Sequence, residues 1–158
     1  MNSSKIAILL AIVLLLLTLW AVINQVKENH LQDDPMLDRL RKMMKDFFEK
    51  RKGKFNGLLT QLNHKDIMEE IRLYKGEKSY TINKEKIYMC LLDEEGKYYD
   101  LNLLVYVLLH EMSHVLCDEI GHTQKFSDIF DELKHEAATA GIYNPSLHIR
   151  QDYCTYND

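Results

Sequence analysis

The chain has 158 residues, with 20 Lys and Arg against 24 Asp and Glu, a net charge of −4. That balance makes no demand for nucleic acid as a partner. With an apolar N-terminus set aside, about 125 residues remain, enough to bury one hydrophobic core and not two. Cys90, Cys117 and Cys154 lie far apart with no CxxC pair. A disulfide-stapled secreted domain is therefore not expected, while one disulfide beside a free thiol stays open.

No charge interrupts Ile6 to Val26, and Ile6 to Ile23 is apolar apart from Thr18. As a helix these residues span roughly 27 Å, close to the hydrocarbon core of a bilayer. Trp20 stands near one end, where an indole suits the headgroup layer. The run is longer than a signal-peptide core, and Val22–Gln25 offers no small-residue cleavage pattern, so a retained membrane anchor is the preferred reading. The division expected is residues 1–29 as anchor and linker and residues 30–158 as a folded domain. Lys27, Arg39, Arg41 and Lys42 follow the span, against Lys5 and the amino terminus before it. The positive-inside rule then leans weakly toward a cytoplasmic domain, and the lack of a disulfide pattern leans the same way.

Asn24 to Asp34 reads as a polar linker. Pro35 can open a helix, and Met36, Leu37, Leu40, Met43, Met44, Phe47 and Phe48 recur at helical spacing, predicting an amphipathic helix over residues 35–52. Its other face is basic, from Arg39 to Lys52. It reads first as a solvated face, with anionic lipid headgroups as the sharper alternative and nucleic acid as a third. Ile67, Ile71 and Tyr74 predict a further helix over residues 63–74, ended by Gly76. Tyr80 and Ile82 alternate with polar residues, Ile87–Leu92 is a more continuous apolar run, and Asn83–Lys86 between them makes a hairpin the expected arrangement. Asp100 or Asn102 can cap the next helix, strongly apolar through Leu103, Leu104, Val107, Leu108, Met112 and Leu116 and running to about Glu119. Gly121 breaks it. Thr123 can cap a last helix over residues 124–140, with Gly141 as its stop.

The chemistry concentrates in His110-Glu111-Met112-Ser113-His114. Positions i and i+4 share a helix face, so two imidazoles can converge on one ion at about 2.0–2.1 Å, the usual zinc distance. Glu111 is one helical step away, placed to accept a proton from water at the ion rather than to bind it. The motif lies mid-helix in an apolar segment, where these three side chains would be costly to bury without a function. A catalytic zinc generally takes three protein ligands and leaves one position open. His122 is the favoured third, because Gly121 lets the chain turn back toward the helix. His135, Glu132 and Glu136 are rivals, and Cys117 could conceivably face the metal. Asp118 is a candidate to orient His114. Tyr143, His148, Arg150 and Tyr153 are candidates to stabilise an oxyanion, and the strand Ile87–Leu92 could present an edge to an extended substrate.

Tyr106 to Val115, followed by Gly121-His122 and Phe126, resembles the small zincin-type metallopeptidases of the WLM and SprT-like families over about residues 78–143. The resemblance implies an α+β zincin-like domain with a HExxH helix, a short hairpin or sheet and flanking helices. It implies His110, His114 and His122 as zinc ligands, Glu111 as catalytic base, a protein or peptide substrate, and Phe126 as a packing residue. Two departures stand out: the step from His114 to His122 is eight residues rather than the six of HExxHxxGxxH, and no Met-turn is visible. The DNA-crosslinked substrates of some relatives are not carried over, because an N-terminal anchor argues for another location. The competing expectations are a non-catalytic, metal-stabilised module that binds a partner through its basic helix, and an interaction domain whose role is set by the anchor.

Overall fold

A computed structural model describes residues 3–147 and 153–154. The chain divides into two compact units, residues 1–33 and 34–158. The first is one helix, α1 (Ser3–Gln32), whose apolar side chains from Ile6 to Val26 are exposed; Leu15 and Trp20 are about two-thirds exposed. It is the one helix among the described residues long and apolar enough to cross a membrane. The polar stretch expected as a linker is helical as far as Gln32. It contains no Gly or Pro to stop the helix, and Gln25 Nε2 donates to Asn29 Oδ1 one turn on (3.0 Å).

The second unit opens with α2 (Pro35–Arg51). Asp34 caps it, accepting from the Met36 amide at 2.9 Å, and Pro35 sits where its missing N–H costs nothing. Asp34 is itself buried, and its carboxylate also accepts from the Tyr98 hydroxyl and pairs with Lys75. Leu37, Leu40, Met44, Phe47 and Phe48 form the buried stripe of α2. A 3₁₀ segment (Gly57–Asn63) and a single turn, α3 (Ile67–Glu70), follow. Gly57 has φ +57°, and a Cβ there would lie 2.8 Å from Glu132 Oε1, so a side chain would be strained and would displace the Glu132 carboxylate.

Three short strands make the sheet: β1 (Arg72–Lys75), β2 (Tyr80–Ile82) and β3 (Lys86–Met89), in the order β1-β3-β2. β2 and β3 form the expected antiparallel hairpin, with Asn83 and Lys84 both at positive φ in its turn. β1 corrects the expected helix over residues 63–74. Arg72–Lys75 pairs in parallel with Lys86–Met89, and Leu73 and Tyr74 are both buried. The helical spacing of Ile67, Ile71 and Tyr74 is thus divided between one helical turn and a strand, because pairing with β3 satisfies the backbone that a longer helix would have bonded internally.

Two helices complete the unit, α4 (Leu101–Leu116) and α5 (Gln124–Thr139), capped by Asp100 and Thr123. α4 is the central helix: Leu104, Val105, Leu108, Leu109 and Met112 have no exposed surface. It ends at Leu116, three residues short of the expected Glu119. One disulfide, Cys90–Cys154, holds the tail to the segment after β3, and Cys117 is free and buried. This is the arrangement left open by the sequence, one disulfide beside a free thiol, and the cysteine argument for a cytoplasmic domain falls away.

Candidate metal centre

α4 carries His110 and His114 on the face that meets the start of α5, as one helical turn requires. Past Leu116 the chain leaves the helix at Cys117 and reverses at Gly121, whose φ of +86° an L side chain would resist. The Asp118–Lys125 ion pair (2.7 Å) closes this excursion onto the first turn of α5. His122 is thereby returned to α4. Its Nε2 lies 3.0 Å from His110 Nε2, and one ring nitrogen from each of His110, His114 and His122 falls within a group spanning 4.8 Å. Nitrogens bound at about 2.0–2.1 Å to one tetrahedral ion stand about 3.3 Å apart; the His110–His122 pair is near that spacing, the full group spreads wider, and three imidazoles are a donor set that could hold a metal ion.

Phe126 forms the floor. Its ring centroid lies 5.0, 4.3 and 4.8 Å from those of His110, His114 and His122, and it is 3% exposed. This ring gives the three imidazoles an apolar surface on one side, while His122 stays exposed. Burial, with the neighbouring His114 and His122, lowers the pKa of His110 to about 4. His114 is lowered too, by burial first, then by His122 and Lys84. Both shifts favour the neutral imidazole, the form that binds a metal.

Glu111 is 5% exposed, and burial raises its pKa against the opposing effect of Thr81. Thr81 sits mid-strand on β2, and its Oγ1 lies 2.7 Å from Glu111 Oε2. Sequence reading missed this contact: Thr81 is an ordinary strand residue thirty positions away. Lys84 was missed as well. From the β2–β3 turn it donates to the Cys117 carbonyl at the end of α4, pinning the hairpin across the helix. Between hairpin and helix lies a cleft of about 570 Å³, lined among others by Tyr80, Thr81, Lys84 and Glu111 and by the three histidines.

The other expected participants lie elsewhere. His135, Glu132 and Glu136 border a separate groove with Asn56 and Gly57; Glu132 accepts from the Leu58 amide, and Glu136 pairs with Arg51. Asp118 is mostly exposed and serves Lys125, not His114, because α4 has already ended. Cys117 is packed in the core. Tyr143 is buried beside Tyr106, whereas Tyr153 donates to the Cys90 carbonyl and meets Ser79, which lines the cleft. His148 and Arg150 lie outside the described residues. The apolar run from Ile87 belongs to β3, the central strand, so it presents no edge; β2 is the edge beside the cleft.

Fold and site define an α+β chain in which one central helix and the loop after it assemble a three-histidine cluster beside a buried carboxylate. Uncharacterized protein 136R of invertebrate iridescent virus 6 is 49% identical to it over 104 residues, covering 64% of this chain and 58% of the relative. Uncharacterized protein 042R of invertebrate iridescent virus 3 is 39% identical over 110 residues, 69% of each chain. Uncharacterized protein R325 of Acanthamoeba polyphaga mimivirus is 31% identical over 118 residues, 68% of this chain and 59% of the relative. The chain belongs to the family of viral protein 042R, and it spans under two-thirds of the length of 136R and of R325. No protein-family model and no solved structure matches it.

Proposed function

We propose that this chain is a membrane-anchored, zinc-dependent metallopeptidase of zincin-like design, with His110, His114 and His122 as ligands and Glu111 as general base. The observation that carries the reading is the conjunction in one open cleft of three converging imidazoles and a buried glutamate aligned by Thr81. A purely structural zinc site is generally closed by four ligands and gains nothing from a buried carboxylate beside it. That argues against the non-catalytic module.

Zinc held there would polarise a peptide carbonyl and acidify the attacking water. Glu111 does the proton work. Its pKa, raised by burial, makes its carboxylate a stronger base than that of an exposed glutamate. It takes a proton from the water as the oxygen attacks the carbonyl carbon. It returns that proton to the amide nitrogen as the carbon–nitrogen bond breaks. β2 would hold an extended peptide along its unpaired edge, since strand addition supplies main-chain hydrogen bonds whatever the peptide sequence. α1 serves as the anchor.

The test is metal analysis and peptide-library cleavage with the full chain in detergent, wild type against Glu111→Gln. The variant should keep about one equivalent of zinc and lose cleavage. Equal cleavage by both proteins, or an absence of bound zinc in both, refutes the reading.

A further inference from the structure

Away from the metal centre, the outer face of α2 borders a groove of about 460 Å³ against the first residue of α4 and the end of α5. Its floor is apolar, with Met43, Phe47, Leu101 and Ile142, and its rim is basic, with Arg39, Lys42 and Lys50. Arg39, Lys42, Met43, Phe47 and Lys50 share one helical stripe, so floor and rim come from a single element.

The other cations of α2 are already committed. Arg41 pairs with Asp38, Lys45 with Glu69, and Arg51 with Glu136. Arg39, Lys42 and Lys50 are exposed and have no carboxylate within ion-pair distance among the described residues. Asp46 is the one acid lining the groove, set against these three cations and the paired Arg51. A volume of this order is that of a small-molecule site, and its chemistry, an apolar trough with cations along its lip, complements an anionic amphiphile.

Chain continuity indicates the source. Fifteen residues lie between Ile23, the end of the apolar run, and Arg39. Fully extended, they reach no further than about 55 Å, and residues 24–32 are helical and so shorter. A bilayer holding α1 therefore keeps Arg39 within that distance of its surface.

We infer that this groove binds an anionic phospholipid of the anchoring membrane, its phosphate held by Arg39 and Lys42, with Lys50 adding positive charge two turns further along the rim and an acyl chain lying over Met43 and Phe47. The site would fasten the domain to acidic bilayers by a second contact beyond the anchor. The inference rests on the reading of α1 as a membrane anchor.

The experiment uses the full chain in lipid nanodiscs carrying a trace of photoactivatable phosphatidylserine or phosphatidylcholine, with the reactive group on the acyl chain, and maps adducts by mass spectrometry. The expected result is labelling of residues 39–51 or 101 at least fivefold greater from phosphatidylserine. In Lys42→Glu/Lys50→Glu it falls to the phosphatidylcholine level; both positions are exposed, so folding is spared. Adducts within residues 6–23 read the anchor separately. Anchor adducts with no groove labelling, or groove labelling equal from both lipids, overturn the lipid site and leave the anchor standing. Absence of anchor adducts overturns the anchor reading, and groove labelling that persists without them shows binding independent of it.

Discussion

Thr81 Oγ1 stands 2.7 Å from Glu111 Oε2 and 3.1 Å from the Glu111 carbonyl oxygen. This edge-strand hydroxyl holds the Glu111 carboxylate of α4 across the cleft. Its single proton serves the nearer carboxylate oxygen, and a hydrogen bond to a charged group contributes about 1.5–3 kcal/mol. Thr81→Val, nearly the same shape, should lower kcat by roughly tenfold or more while zinc content stays the same. Thr81→Ser should restore much of the rate. Steady-state peptide cleavage with parallel metal analysis reads both; an unchanged kcat in Thr81→Val would remove Thr81 from the mechanism.

The three histidines should differ sharply from His135 in metal retention. His122→Ala leaves two ligands on α4, and an ion held by two imidazoles exchanges readily. Its zinc affinity should fall by at least a hundredfold in competition with a chromophoric chelator. His135→Ala should match wild type, since His135 borders the groove at Asn56 and Gly57. The reverse ranking would place the ligand set elsewhere.

The Cys90–Cys154 disulfide closes a loop of 64 residues. Cross-linking a loop of that length stabilises a fold by about 2–4 kcal/mol, chiefly by restricting the unfolded chain. Cys154→Ser should lower the denaturant midpoint of the oxidised protein accordingly, and reducing agent should abolish the difference between the two. Cys117, 1% exposed, should resist thiol reagents until the protein unfolds.

Tyr153 gives the domain an alkaline limit. Burial is the main cause that pushes its pKa up to about 12 from an ordinary 10. The folded state therefore holds this proton where the unfolded chain has lost it. The resulting stability is fully present below pH 10 and is lost as pH rises toward 12, with a slope of about 1.4 kcal/mol per pH unit within that window. In Tyr153→Phe the loss between pH 10 and 12 should be shallower than in wild type, as read by urea melts at each pH. Parallel profiles would show that Tyr153 does not titrate in this range.

Short-range periodicity made much of this legible. The helix over residues 35–52 was visible in its Leu, Met and Phe spacing. The hairpin showed as the alternation of Tyr80 and Ile82 and the apolar run from Ile87, on either side of Asn83–Lys86, and the motif helix as a strongly apolar segment. Thr123 was readable as a cap because capping is a contact of three residues, here the Thr123 hydroxyl with the Phe126 amide. β1 was not, since Arg72–Lys75 lacks any local signal that outweighs helical spacing, and its conformation comes from pairing with β3.

The same division runs through the site. By itself the sequence determined that His110 and His114 share a helix face with Glu111 one step aside, because backbone geometry alone fixes neighbours one turn apart. Only the tertiary structure decided that His122 returns to them, that Phe126 lies beneath all three rings, that Thr81 meets Glu111 and that Cys90 reaches Cys154. Those contacts join segments separated by loops, and a loop's path is set by the packing of what it connects.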